Sequence, residues 1–435
     1  MIEVKGNSIK ITAKEALNLL QDSTKDHGVY IDLDRVLDIY TTAYENYLPL
    51  ITIMRTISGD TTLTCDSRSF SKIYTEILGV PSKLLLTDGK YSVDKDTRER
   101  LKNTSELSDI AKHFVEVHIL AAEYNTICKS MKSYLNLPLV RVEDYEGHRV
   151  VRASPSYSIL STGRLQASDP NVQNISREFP DLITHLSDWT LLRCDSAQIE
   201  PRIMYSHFIK DKLIYSLIEL YDDAYFGLLH FITLTYEEEN NLRRGNMKLE
   251  KKPFTKEERQ KLKLAALAAG YGSNLSKANV PYALEYVEKI NKHPLRKSWE
   301  EEVTSYVRAG GQKFYTPFGM EILPTETTKY KKGTMGWISH LIRCGINNPI
   351  QGTASQLMFL SIEFAYKLLK GRKSKICYYK HDEAAFYIHN SELFLVDELK
   401  SVVGYNIIYS DGFKWLPIHA EYFLGRKEGN GFGIT

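Results

Sequence analysis

Two aspartates stand where a metal-dependent reaction could be run. Asp195 closes the apolar segment TLLRCDS (Thr190–Ser196), and Asp382 sits in a charged turn between two further apolar segments, CYYK and AAFYI. Carboxylates at adjacent strand ends can share divalent cations, and oxygen donors suit Mg²⁺. Two such ions about 4 Å apart can activate a hydroxyl and stabilise a leaving phosphate during in-line displacement. Either aspartate alone reads equally well as the start of a turn. A second set, Arg259, Lys263, Leu267 and Tyr271, recurs every four residues and is followed by Gly272. Four residues advance a helix by about 400°, so these side chains form one slowly drifting stripe. Two cations in successive turns, about 6 Å apart along the axis, match the length of a triphosphate. An aromatic ring at the helix end can stack on a base. Lys251, Lys252, Lys256 and Lys261 add positive charge nearby, while the Ala-rich LAALAAG stretch favours close packing over a wholly solvated helix. STGRLQASDPNVQNIS (Ser161–Ser176) is dense in Arg, Asn, Gln and Ser, which can donate to phosphates, sugars and minor-groove acceptors. Arg343, Asn347 and Gln351 form another polar stripe beside Ile342, Ile346 and Ile350. Composition alone would leave both segments as polar surface.

The elements that must position these residues follow from periodicity. TLLRCDS reads as a buried strand, Cys377–Ile388 as two strands around a tight charged turn, and Trp415–Gly425 as a last strand. A helix is predicted over Thr255–Ala269, stopping at Gly270, with Thr255 as N-cap and Glu258 completing a capping box. A long helix is predicted over Gly336–Leu369, and a hairpin over Lys313–Pro324 around Phe318 and Gly319. Pro201–Leu234 reads as helical, followed by a charged linker over 237–259. Val29–Leu137 is mostly helical in period, with an amphipathic helix over Ile110–Met131. Val140–Ile159 reads as short strands and loops, and residues 1–26 are polar without a clear pattern.

The bulk numbers exclude several classes. With 435 residues, 43% hydrophobic and 25% charged, the chain has ordinary globular composition and room for two to four domain-sized units. A net charge of +2 means that any polyanion site must come from local clustering. Five cysteines without a C-x-x-C pair argue against a disulfide framework or a zinc site and for a reducing compartment. No apolar run approaches the roughly 20 residues of a membrane span, and MIEVKGNSIK resembles no targeting leader. No membrane partner and a cytoplasmic location, in a bacterial host or phage-infected cell, are the expectation.

Taken together the segments resemble the A family of DNA polymerases, the group of bacterial DNA polymerase I. The resemblance is clear over about 150–425 and weaker over 27–150. TGRL followed by DPNVQNI is similar to the family's primer–template segment, and DSAQIEPR (Asp195–Arg202) to the first catalytic motif, usually Asp-Tyr-Ser-Gln-Ile-Glu-Leu-Arg. Arg259-x3-Lys263-x7-Tyr271-Gly272 resembles the fingers helix. Arg343-x3-Asn347-x-Pro349-x-Gln351-Gly352-Thr353-Ala354 resembles the palm helix, and His381-Asp382-Glu383 the final catalytic turn. Five motifs in the family's order carry far more weight than any one of them.

The resemblance implies an α+β, right-hand polymerase fold: a palm with an antiparallel sheet, and helical fingers and thumb. The expected division is 1–149 for the N-terminal segment and helical thumb-like region, 150–208 for the first part of the palm, 209–335 for the fingers and 336–435 for the second part of the palm. Asp195 and Asp382 would bind two Mg²⁺, for which Mn²⁺ can substitute, with the main-chain carbonyl of Ser196 as a further ligand and Glu383 as a supporting catalytic carboxylate. Arg259 and Lys263 would hold the triphosphate of a dNTP, Lys263 would protonate the departing pyrophosphate, and Tyr271 would sit by the templating base. Glu200 would be the steric gate against a ribose 2′-hydroxyl, with Gln198 and Leu267 lining the same nucleotide site. Arg164, Gln173, Asn174, Arg343, Asn347, Gln351 and His381 would contact primer–template DNA, several of them as sequence-blind probes of minor-groove acceptors.

Departures from the family pattern bear on specificity. Leu267 replaces the usual Phe or Tyr, which puts sugar discrimination in question. Ser196 replaces Tyr, and Pro201 replaces Leu where a helix can begin. Tyr225 of DDAYF stands nearest to the family's nucleotide-binding His. Only about 26 residues precede HGVYIDLDRVL, which resembles the thumb-side start, so no 3′–5′ exonuclease and no 5′ nuclease is expected, as would suit a phage, plasmid or repair setting. The alternatives are a single-subunit RNA polymerase, which Leu267 mildly favours but Glu200 and TGRL–QNI oppose, and a catalytically idle primer–template binding protein, which the intact Asp195, Lys263 and Asp382 oppose.

Overall fold

The computed structural model describes residues 1–425 except 6–8, 26–27, 66–68, 88–89, 137–141, 146–147, 175–178, 180–181, 186, 271–280, 326, 328–329 and 409–413. The chain divides into two compact units. One comprises Met1–Val29, Ser154–Gln173 and His185–Thr435, and the other Tyr30–Ala153 and Asn174–Thr184. Among the described residues, no helix is long and apolar enough to cross a membrane.

The smaller unit is built on two long helices, Leu33–Ser58 and Asp109–Leu135, packed along each other. Asp32 caps the first by accepting from the Arg35 amide at 2.9 Å, and Gly59 ends it in the left-handed conformation with φ 69°. Ser108 caps the second. Met54, Leu63, Tyr74, Phe114 and Val115 are buried between them. His118 is buried there too, bonded to the Tyr74 hydroxyl at 3.0 Å, and burial pulls its pKa down to about 3. The expected helix over Ile110–Met131 is the inner part of the second helix, and most of its apolar residues are buried, while Ile110 and Leu120 are exposed.

The larger unit is organised by a four-stranded antiparallel sheet in the order Lys375–Lys380, Glu383–His389, Trp189–Ser196, Ala420–Gly425. Trp189–Ser196 buries Leu191, Leu192 and Cys194 while pairing on both edges. The long helix Met335–Leu369, capped by Thr334, also belongs to this unit, and Gly352, Thr353, Ala354 and Leu357 are buried along it. Thr255 and Glu258 exchange the predicted capping-box bonds, 2.8 and 3.2 Å, at the start of the helix Lys256–Gly270. The hairpin of Phe314–Tyr315 and Glu321–Ile322 turns at Gly319, which has φ 83°.

Two local readings are corrected. Residues 1–26 are not patternless. Ile2–Lys5 pairs in parallel with Tyr405–Ile408, and Ala13–Thr24 is a helix with a Thr12–Glu15 capping box, packed on the long helix. Its buried face is only the narrow series Ala16, Leu20 and Thr24, too thin a stripe to stand out among polar neighbours. Residues 1–29 therefore fold with the sheet and not with the helical unit that follows. The charged linker is also partly ordered: Tyr236–Arg243 is a helix with a Thr235–Glu238 capping box, and it buries no side chain.

Helices Lys212–Tyr221 and Ala224–Thr233 meet at Gly227, where an added Cβ would lie 2.7 Å from the Ile218 backbone. Backbone cannot yield as a flexible side chain does. Gly227→Ala is expected to cost about 1–3 kcal/mol by overpacking. Denaturant unfolding of the purified variant against wild type measures it, and an unchanged midpoint would contradict the close approach.

Candidate active site

Strand register brings the two expected acids to one place. Asp195 lies opposite Glu383 on one side and Glu421 on the other. The Ser196 amide donates to the Asp382 carbonyl at 2.8 Å, and the Ala197 amide to the His419 carbonyl at 2.8 Å. Asp195 and Asp382 therefore flank a single hydrogen-bonded step, although one comes from the middle of the chain and the other from near its end. Burial pushes the Asp382 carboxyl above its ordinary value, and the negative charges of Glu200 and Glu383 push it further. Mutual repulsion of this kind is what a bound divalent cation relieves. Ser196 is fully buried and its hydroxyl donates to the Val403 carbonyl at 2.7 Å, so only its main chain is left for ligation. Among the described residues, no three or more His, Cys, Asp or Glu side chains make a closed metal cage. Mg²⁺ commonly takes one or two carboxylates and completes its shell with water and substrate phosphates. The acids present fit that ion.

Glu383 is fixed within the sheet. Arg193 grips both its oxygens, at 2.9 and 2.8 Å, and the Tyr378 hydroxyl donates to it at 2.5 Å. Burial raises its pKa, but the Arg193 and Tyr378 hydrogen bonds and the Arg193 charge outweigh that and hold it below the ordinary 4.5. It supports the site from behind.

Gln198 and Arg259 gather around Asp223. Gln198, in the left-handed conformation with φ 53°, donates from Nε2 to Asp223 Oδ2 at 2.6 Å and accepts from the Ala224 amide at 2.5 Å. Arg259 reaches the same Asp223 oxygen through Nε at 2.8 Å and Nη2 at 2.7 Å. The Arg259 guanidinium lies 5.2 Å from the centre of the buried Tyr225 ring and the Lys263 ammonium 5.7 Å from it. One ring thus faces both cations of the stripe.

Glu200 pairs with Arg164. Glu200, Tyr225, Leu267 and Asn347 all line one cleft. Gate, fingers helix and palm-helix stripe, read separately from sequence, thus share one recess. Arg343 stacks over the Tyr330 ring at 5.9 Å, and Gln351 is partly exposed a turn beyond Asn347. His381 is exposed at the turn with φ 53°. Partial loss of water, then the nearby Arg164 charge, lowers its pKa.

With this geometry in hand, the comparisons are decisive on kinship. The family model described as DNA polymerase family A matches residues 53–407. The chain belongs to DNA polymerase family A. DNA polymerase I of Synechocystis sp. is 23% identical over 86% of this chain and 38% of its own length, and that of Bacillus subtilis is 23% identical over 94% and 44%. DNA polymerase I of Caldicellulosiruptor bescii is 26% identical over 86% and 42%. The chain spans about two fifths of the length of these curated relatives. The POL domain of Pol1 from M. smegmatis, solved in complex with DNA primer–template and dNTP, matches the fold with a TM-score of 0.73 at 18% identity, over 94% of this chain and 69% of that one. The expected α+β polymerase fold is the observed one.

One residue expected to contact DNA is enclosed by the fold. Gln173 is buried and its amide is engaged by backbone: Oε1 accepts from the Ala167 amide at 3.0 Å and Nε2 donates to the Leu165 carbonyl at 2.9 Å. It braces the strand Leu165–Ser168. The Asn174 side chain and Tyr271 lie outside the described residues. Sequence reading missed Asp223 and Arg193. An Asp directly before AYF was a legible N-cap signal, and the cap is real, with Phe226 N donating to Asp223 Oδ1 at 2.9 Å. Nothing in the sequence singled out Arg193 from other strand charges.

Removal of Arg193 tests the buried pair. Glu383 has a lower pKa folded than unfolded, so its ionised form stabilises the fold above the unfolded value of 4.5, and this contribution is lost as pH falls through the folded value. Arg193→Met is expected to cost about 3–5 kcal/mol at neutral pH, since it strands a buried carboxylate. The penalty should shrink in acid. Urea unfolding at both pH values measures it, and a pH-independent penalty would contradict the pairing.

Proposed function

We propose that the chain is a DNA-templated DNA polymerase that extends a primer 3′-hydroxyl with dNTPs and releases pyrophosphate. The observation that carries this reading is the pairing of Trp189–Ser196 with Glu383–His389, which brings Asp195 next to the turn of Asp382 in a family A chain. The sheet and the long helix act as palm, the helices within 209–335 as fingers, and the helical unit as thumb.

Asp195, Asp382 and the Ser196 carbonyl would hold two Mg²⁺, which supply activation of the attacking hydroxyl and charge stabilisation at phosphorus. The chain's own groups do the rest. Arg259, held by Asp223 through Nε and Nη2 of its guanidinium, binds the triphosphate together with Lys263. Lys263 then donates its proton to the departing pyrophosphate oxygen. Glu200 fills the space a ribose 2′-hydroxyl would need. With Leu267 in place of a ring on the cleft wall, Glu200 carries more of the sugar discrimination. Arg164, Arg343 and Gln351 probe minor-groove acceptors near the primer end, and His381 contacts the terminal nucleotide. Primer–template DNA and dNTPs are the partners.

Asp195→Ala and Asp382→Ala are each expected to lower single-turnover extension by roughly 10³-fold or more, because several kcal/mol of charge stabilisation disappear. Primer–template affinity should largely survive. Equal loss of affinity and activity would make the two acids structural. Glu200→Ala is expected to lower the dNTP-to-rNTP ratio of kcat/KM by at least about tenfold. An unchanged ratio would remove Glu200 from the gate.

A further inference from the structure

The linker that follows the helix Tyr236–Arg243 forms a groove with the starts of two other helices. Met247 and Leu249 of the linker line it, with Leu242 just before them. Leu213 and Leu295, each the second residue of its helix, Lys212–Tyr221 and Pro294–Arg308, complete the apolar surface. The groove holds about 520 Å³. Met247 is 40% exposed and Leu295 43%, so this apolar surface meets water. An apolar patch rimmed by polar residues marks an interaction site. The rim here is basic. Lys210 and Lys212 are exposed on it and make no ion pair among the described residues. Asp211 is the one acid on the lining, and its oxygens are taken. Oδ1 accepts from the Leu213 and Ile214 amides, each at 2.9 Å. Oδ2 accepts from Arg243 Nη1 at 2.8 Å and lies 3.3 Å from His293 Nε2. The Leu295 amide donates to His293 Nδ1 at 3.3 Å. The helix-start amides that could cradle a phosphate are thus already capped, and an anion here meets lysine ammoniums.

We infer that this groove docks an acidic peptide segment of a partner protein, with aliphatic side chains between its carboxylates. The aliphatic walls fit Leu- or Ile-like anchors, whose burial supplies the affinity. The lysines on the rim fit the carboxylates, which supply steering and specificity. The positive charge continues along the linker: Arg243, Arg244, Lys248, Lys251 and Lys252 stand against the single acid Glu250 over residues 243–252. The whole chain carries only +2, so this concentration is local. A strand of nucleic acid would also answer the charge. Proteins that hold single strands stack the bases on aromatic rings, and among the described residues no aromatic side chain lines the groove. None of the lining residues is assigned to the nucleotide or to primer–template DNA, so the docking rests on the groove and stands apart from the polymerase reading.

Fluorescence anisotropy of a labelled peptide of about ten residues, alternating Leu and Asp, titrated with the full chain, tests the groove. The peptide is expected to bind at least about tenfold more tightly than one with Ser in place of every Leu, and than one with Lys in place of every Asp. Lys210→Glu together with Lys212→Glu should weaken binding by about tenfold and flatten its dependence on salt. Met247→Asn together with Leu295→Asn should weaken it by about tenfold and leave the salt dependence as it was. All four side chains are exposed, so both variants should keep the fold, which circular dichroism checks. Oligodeoxythymidylate should not displace the peptide. No binding, or an affinity that survives either pair of substitutions, would overturn the site. Displacement by the oligonucleotide, or binding indifferent to the Leu residues, would overturn it too, by making the rim a surface for nucleic acid or for polyanions at large.

Discussion

The proposed chemistry depends on one backbone hydrogen bond, from the Ser196 amide to the Asp382 carbonyl, and on the antiparallel register it terminates. Side chains alternate along a strand, so a slip of one residue would turn Asp195 away from the turn that carries Asp382. The register is over-determined. Apolar residues of Trp189–Ser196 are buried, both of its edges are paired, and Arg193 reaches across to clamp Glu383, the residue next to Asp382. The stability of the sheet and the alignment of the acids are therefore one property. The cost is visible in Asp382 itself, whose negative form is disfavoured by burial and by the charges of Glu200 and Glu383.

A second network gives the fingers their alignment. Asp223 caps the helix Ala224–Thr233, holds Gln198 from the first catalytic motif, and holds Arg259 from the fingers helix. A helix cap, worth about 1 kcal/mol on its own, thus doubles as the joint between two motifs. Tyr225, one residue on, offers its ring to both Arg259 and Lys263. An aromatic ring keeps the two cations together without adding a charge of its own, and that accounts for how the chain departs from the pattern yet keeps the stripe.

Much of this was legible in the sequence, for identifiable reasons. The acids, the stripe and the gate lie in short motifs whose residue types are dictated by chemistry, and the strands around them are apolar runs ended by Asp or a charged turn. The Thr255–Glu258 cap was readable because a capping box is a local device. What stayed hidden was pairing across the chain. Gln173 looked like a polar contact for DNA because nothing local reveals that Leu165 and Ala167 would claim its amide. Arg164 and Glu200 were assigned separate duties, and only the fold brings them into one ion pair. Helix Ala13–Thr24 escaped because a face of three small or single residues gives almost no periodic signal.

The central claim is that these aligned acids and cations carry out templated nucleotide addition. The most direct measurement is single-nucleotide insertion on a labelled DNA primer annealed to four DNA templates that differ only in the first templating base, with each dNTP offered alone and with Mg²⁺ present or chelated. The account predicts that each template selects its complementary dNTP and that chelation stops every insertion. Insertion that ignores the template, that persists without divalent metal, or that fails while the primer–template remains bound would contradict it.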